Sequence, residues 1–221
     1  MARTAERRNP FQEEQRAITR AAITTAAAKI FAEHGYVGCS IEQILVAAGV
    51  SRTAFYSHFV GKLAVVQAIA ADFESAWLPV FHHLADLRDP DLPALVQWAS
   101  SHLKQHRDNF EICSLLTQVA ALEELLYWQI SAQRDALIGM LAASHPAFAA
   151  AQRDSGMMLE AHILLGSIDQ TCFHVVRQHL PDPAGRAPQI IARQMLDFLR
   201  RPTDHLDQSA TSTCPADGHV S

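Results

Sequence analysis

The sequence predicts an all-α protein, and three observations carry that expectation. Apolar residues recur at intervals of three and four along most of the chain, the spacing that lines one face of a helix. β-Branched residues nowhere alternate with polar ones over a strand's length. Proline and glycine are sparse between Phe11 and Leu199 and gather at the joints between periodic segments.

Asn9, Pro10 and Gln12 read as N-cap, first-turn proline and capping-box partner. The helix they open is expected to reach His34, where Gly35 supplies a left-handed stop. Its apolar stripe is Ile18, Ala22, Ala26 and Ile30, with Ile23, Ala27 and Phe31 beside them. Ser40-Ile41-Glu42-Gln43 is a full capping box, so a second, short helix starts at Ile41, turns Ile44, Leu45 and Ala48 inward and ends at Gly49. Val50 plugs the corner, and Ser51 caps a third helix to about Phe59 whose Phe55 and Phe59 share the buried side. That leaves Arg52, Thr53, Tyr56 and Ser57 outward.

Gly61 precedes a fourth helix, from Lys62 to about Leu87, which Pro79 is expected to kink or break. Beyond Asp89-Pro90 the periodicity predicts helices near 92–106, 109–121, 123–144, 155–180 and 188–199. Residues 202–221 mix Asp, Ser, Thr and Pro and read as a disordered tail. The expected organisation is an N-terminal arm and three-helix head over 1–66, a helical body over 67–201 and that tail.

Composition narrows the function classes. The net charge of −5 divides unevenly: residues 1–62 hold eight Lys/Arg against five Asp/Glu, the remainder ten against eighteen. A basic head on an acidic body fits a protein whose head alone meets a polyanion. Cys39, Cys113, Cys172 and Cys214 are scattered, with no CxxC pair, so reduced thiols are expected. No stretch reaches the roughly 18 to 20 uncharged apolar residues of a membrane helix, and the Arg- and Glu-rich N-terminus has no apolar leader core; a cytoplasmic, nucleoid-associated protein without a membrane partner is expected. Enzyme signatures are missing: there is no GxSxG, HExxH or GxGxxG, and Gly61-Lys62 lacks the earlier glycine of a phosphate loop.

Two capped helices joined by Ala48-Gly49-Val50-Ser51 make a helix-turn-helix, whose second helix fits a major groove about 12 Å wide. Arg52 and Thr53 stand where base edges are reached, and the Arg52 fork matches a guanine. Lys62 puts a cation in the first turn of its helix, opposing the macrodipole unless an anion lies opposite, and a DNA phosphate is such an anion. Tyr56, His58 and Lys62 together are expected to grip one backbone stretch.

From Ala21 to Ile69 the chain resembles the DNA-binding domain of the tetracycline-repressor (TetR) family. The run that carries the resemblance is Ala27, Phe31, Gly35-Tyr36, Ser40-Ile41, Ile44, Ala47-Ala48-Gly49-Val50-Ser51, Phe55-Tyr56, His58-Phe59 and Gly61-Lys62. It departs from the family pattern at Leu63, where an acidic residue is usual, and at Ala54, where a hydroxyl or small residue is often found. The resemblance implies that Tyr56, His58 and Lys62 contact DNA, that Arg52 and Thr53 help to read sequence, and that the protein works as a homodimer. Ser40, Ser51 and Ser57 complete the expected DNA-binding set.

The body shows no quotable motif. Its 155–180 segment is apolar nearly all round, as is 188–199, so a second buried face is expected; in the resembled family the two C-terminal helices pair with their copies, giving a homodimer through 155–199. The ordinary alternative is a thick monomer core. Trp98, Phe110, Cys113, Trp128, Met158 and Phe173, with His102 and His162 as polar anchors, are the candidate lining of an apolar effector pocket. Tyr127 and Met157 join the large side chains there, although stripes of this kind are more often plain core. His102 and His106, one turn apart with Glu111 and Cys113 following, make a metal geometrically conceivable, but no third ligand has diagnostic spacing; no metal and no cofactor are expected.

The function expected is that of a one-component transcriptional regulator, not an enzyme. It would act as a repressor on a pseudo-palindromic operator in double-stranded DNA, released by a small, largely apolar effector through the helix joining head to body. An activator of the same fold and a helical protein-interaction module are the alternatives.

Overall fold

The computed structural model describes residues 10–201, which form ten helices, with no strand among the described residues. In chain order they are α1 Pro10–Gly38, α2 Ile41–Ala48, α3 Arg52–Tyr56, α4 Lys62–Asp86, α5 Leu92–Asp108, α6 Phe110–Ala120, α7 Glu124–Ala142, α8 Pro146–Ala151, α9 Ser155–Val176 and α10 Ala187–Leu199. The Asn9 cap, the N-terminal arm and the 202–221 tail lie outside the described residues.

The helices gather into two units. The head unit takes the chain up to Ala76 together with Asn109–Ile130; the body unit takes Trp77–Asp108 and the chain from Ser131 onward. Thus α4 and α7 each contribute residues to both.

In the head, α1 packs on α2 and α6. Its buried line is Ile23, Ala26, Ala27 and Phe31. Ile18, expected in that stripe, is exposed, as is Ala22, because the core that α1 covers begins only at Ile23. Gly35 takes φ 70 and ψ 162, a conformation open to glycine and costly for other residues. The regular helix breaks there, as expected, and a short helical stretch continues to Gly38 and tucks Tyr36 into the core.

α2 begins and ends where its caps dictate. The Ser40 hydroxyl accepts from the Gln43 amide, the Gln43 side chain accepts from the Ser40 amide, and Gly49 closes the helix in the left-handed region at φ 64. Ser51 accepts from the Ala54 amide to start α3, which is shorter than expected and stops at Tyr56. The chain after it bends, so that Phe59 still reaches the core beside Phe55, with ring centres 5.9 Å apart. With helices of eight and five residues, the pair draws its order from caps and core, since isolated helices this short are unstable in water.

α4 runs uninterrupted through Pro79, so the expected break does not occur. By length and hydropathy it is the one described helix able to cross a bilayer. It nevertheless carries Asp72 and Glu74 midway, buries Val65, Val66, Ile69 and Ala70 in the head core, and buries Phe81 and Leu84 in the body core.

In the body, α10 packs on α5, and α9 packs on α5, α8 and α10. The core holds Leu84, Leu95, Trp98, Leu141, Phe148, Ile168, Ile191 and Met195, all but fully enclosed. α8 is absent from the periodicity reading. His145-Pro146 opens it, and Phe148 locks it to Phe198 with ring centres 4.8 Å apart. α9 stops at Val176, short of the expected Leu180, because Gln178 turns left-handed at φ 59.

Candidate nucleic-acid interface

The geometry of α3 separates a packing side from a presenting side. Phe55 is fully enclosed, whereas Arg52, Thr53, Tyr56 and Ser57 face solvent and His58 is half-buried. The Tyr56 ring stands edge-on against Phe55, 5.3 Å between centres, which fixes its direction while leaving its hydroxyl outside.

Three serines expected at the interface are already hydrogen-bonded. Ser40 and Ser51 spend an oxygen lone pair on their caps and keep an O–H to give to a phosphate; Ser57 donates to the Ala54 carbonyl at 2.7 Å. Arg52, the expected base reader, is paired across the turn with Glu42 of α2. Both side chains are more than half exposed, so the pair adds little stability and readily exchanges for another acceptor.

Lys62 has a different anion from the one the sequence suggested. Its ammonium donates to the carbonyls of Tyr36 at 2.8 Å and Cys39 at 2.6 Å and lies 4.9 Å over the Tyr36 ring. The negative end of α1 thus answers the cation at the start of α4. Tyr36 is itself anchored, its hydroxyl donating to Glu123 at 2.7 Å; burial and that carboxylate push its ionisation far above the ordinary tyrosine range. Burial also raises the Cys39 thiol, against the pull of Lys62. Around Lys62 an open depression of about 550 Å³ is lined by Ser40, Glu42, Tyr56 and Gly61 among others, wide enough for a phosphodiester.

Two further cations on α1, Arg16 and Arg20, flank the end of α3. Arg16 donates to the Ser57 carbonyl at 3.4 Å, and the Arg20 guanidinium sits 4.7 Å over the Phe59 ring. Burial and then these two charges hold His58 below the ordinary imidazole range. Their one-turn spacing on α1 is visible in the sequence, but the loop they meet is forty residues away, and no local pattern announces it.

The eight candidate effector residues divide between the units. Phe110, Cys113 and Trp128 belong to the head unit; Cys113 is buried, and Trp128 is 58% exposed, its indole N–H on Glu124 at 3.1 Å. Trp98, His102, Met158, His162 and Phe173 belong to the body. Trp98 and His102 are buried and stacked, ring centres 5.8 Å apart, and Phe173 is buried too. Met158 is half-buried, and His162 faces Asp135 at 2.7 Å. On α9 and α10, Leu159, Ile163 and Ile190 remain exposed, while the rest of the apolar surplus is absorbed by the core.

A helical protein whose N-terminal unit presents a capped helix-turn-helix, with cations around its outer face, falls in the class of helix-turn-helix DNA-binding proteins. Residues 23–69 match the family model for bacterial regulatory proteins of the tetR family. By that match the head is similar to the DNA-binding domain of the TetR family over those residues.

A curated relative, the uncharacterized HTH-type transcriptional regulator TtgW of Pseudomonas putida, is 45% identical over 53 residues, 24% of this chain. The match spans 40% of that relative's length. The solved fatty acid degradation regulator FadR from Bacillus halodurans is 18% identical over 83% of this chain and 97% of its own, with a TM-score of 0.60. FadR from Bacillus subtilis, solved in complex with stearoyl-CoA, is 17% identical over 81% and 96%, with a TM-score of 0.52. At such identities these two structures establish the shared helical fold, beyond the region the family model covers.

Proposed function

We propose that the chain is a one-component transcriptional repressor that binds a pseudo-palindromic operator as a homodimer and lets go when a small, largely apolar effector binds its body. The observation that carries this reading is the outer face of α3: Arg52, Thr53 and Tyr56 are exposed on a helix whose one buried residue is Phe55, beside a depression floored by Lys62. In this reading residues 1–66 read DNA, 67–201 bind effector and dimerise, and the protein acts in the cytoplasm on the nucleoid.

Arg52 exchanges Glu42 for a base edge, Thr53 reads beside it, and Tyr56, Ser40 and Ser51 hold phosphates with Arg16, Arg20 and His58. Lys62 acts mainly by fixing the start of α4 against the end of α1. The exposed Leu159, Ile163 and Ile190 support pairing of α9 and α10 with a second copy. The stearoyl-CoA held by FadR from Bacillus subtilis, a neighbour of the same fold, supports an apolar effector. Release follows if the effector favours a body conformation in which the two heads no longer match half-sites roughly 34 to 36 Å apart.

The experiment is selection of genomic fragments bound by the full chain at moderate salt, then titration of the best fragment across salt concentrations. A palindromic site bound two chains at a time, with log affinity falling by about 0.9 per phosphate neutralised for each log unit of salt, supports the repressor. No enriched fragment and no salt dependence would instead favour a helical module for protein contacts.

A further inference from the structure

Four metal-competent side chains meet in the body, and none of them takes part in reading DNA. His102 and His106 lie one turn apart on α5, and the Nε2 atoms of both face Oδ1 of Asp169 on α9, at 3.1 and 3.6 Å. One turn along α9 from Asp169, Cys172 joins the same two histidines from its own side: one ligand atom each of His102, His106 and Cys172 lie within 4.8 Å of one another. These three are 2%, 9% and 0% exposed. The companions suggested by spacing alone, Glu111 and Cys113, belong to the head unit.

Ligands bound tetrahedrally at about 2.0 to 2.3 Å stand roughly 3.3 to 3.8 Å from each other. The two imidazole-to-carboxylate distances are already close to that spacing, and the two histidines with Cys172 lie within 4.8 Å of one another, so a bound ion would draw the thiol inward. Two imidazoles, a carboxylate and a thiol are the donor set of zinc-class ions, too soft for magnesium or calcium. Arg134 faces the other carboxylate oxygen, Oδ2, at 3.7 Å, so Oδ1 is the oxygen left towards the histidines, the outer orientation that metal-binding carboxylates generally receive. The Asp169 side chain is 40% exposed and gives the ion a way in, while the other three ligands close the site from the core side.

We propose that His102, His106, Asp169 and Cys172 form a binding site for one zinc-class divalent ion per chain. Since no ligand lies in the head, the site stands or falls separately from operator binding.

The test is titration of the full chain, first stripped with a chelator, with cobalt(II). The expected result is one equivalent bound, with the intense visible bands of tetrahedral cobalt and a thiolate charge-transfer band, both erased by zinc(II). Cys172→Ser abolishes the charge-transfer band, and Asp169→Asn and His106→Gln each weaken binding by about tenfold or more. Cys39→Ser, Cys113→Ser and Cys214→Ser leave the spectrum unchanged. An octahedral spectrum, a charge-transfer band that survives Cys172→Ser, or one that disappears in any of the other three serine variants overturns the proposal. Should Cys172→Ser not fold, as read by circular dichroism, Asp169→Asn at the exposed rim decides: wild-type cobalt affinity in that variant equally overturns the site.

Discussion

The ammonium of Lys62 donates to the Tyr36 carbonyl at 2.8 Å and lies 4.9 Å over the ring of the same residue, so that the start of α4 is pinned to the end of α1. A second bond, to the Cys39 carbonyl, makes the lysine a clasp between two helices of the head. Replacing it by methionine keeps the stem and strands two partly buried carbonyls, which costs about 1 to 3 kcal/mol. Lys62→Met is therefore expected to lower the urea midpoint of unfolding with an unchanged slope, before any DNA is added. A wild-type midpoint would mean that the clasp carries no stability and that the lysine is free to serve DNA.

If Arg52 reads a base, as proposed, Glu42 competes with DNA for it. Both side chains are exposed, so breaking the pair changes stability by about 1 kcal/mol at most. Glu42→Gln removes the competitor and a repelling charge next to the backbone, and operator affinity is expected to rise several-fold; Arg52→Ala is expected to relax the base preference at one position in each half-site. Selection with both variants checks this, and an unchanged affinity in Glu42→Gln removes Arg52 from the reading face.

His58 provides a pH signature. Its imidazole is held below the ordinary value of 6.5 by burial and by Arg16 and Arg20, so it is neutral at neutral pH. A phosphate placed beside it raises its proton affinity, and DNA binding then takes up a proton. Affinity is expected to strengthen as pH falls from about 7.5 to about 6, by at most about tenfold per unit. For the free head the sign is opposite: a depressed folded-state value favours folding above the unfolded value and costs stability as pH drops through it. Equal pH slopes for the wild type and His58→Gln would show that this histidine meets no phosphate.

Leu159 and Ile163 lie one turn apart on α9, 61% and 60% exposed. If a second copy covers them, Leu159→Glu and Ile163→Glu are expected to give monomers that keep their helical content. Sedimentation with circular dichroism reads both quantities. A dimer that survives both substitutions places its interface elsewhere.

Local signals were legible and distant ones were not. The capping box at Ser40, the Gly49 stop and the Ser51 cap act within four residues, and the bounds of α2 follow from them. The end of α3 depended on how far Phe59 could swing to reach Phe55, and Pro79 proved compatible with an unbroken helix. α8 went unseen because six residues hold fewer than two turns of periodicity. Among the site residues, outward direction on α3 followed from helical spacing. The partners of Lys62 lie more than twenty residues back, Arg16 meets Ser57 across forty-one, and His102 meets Asp169 across sixty-seven. Apolar spacing likewise shows that a helix has a buried side but not which unit that side joins, so Trp98 and Trp128 read alike in the sequence and end in different units.

α3 rests its stability on one enclosed residue, Phe55, and on the Ser51 cap. Its outer positions, Arg52 and Thr53 above all, bear almost none of the folding load. Mutational drift there is consequently cheap: a duplicated gene is able to acquire a new binding site through a few changes on this face while its descendants go on folding as before. Regulatory networks built from such heads can rewire without passing through broken intermediates.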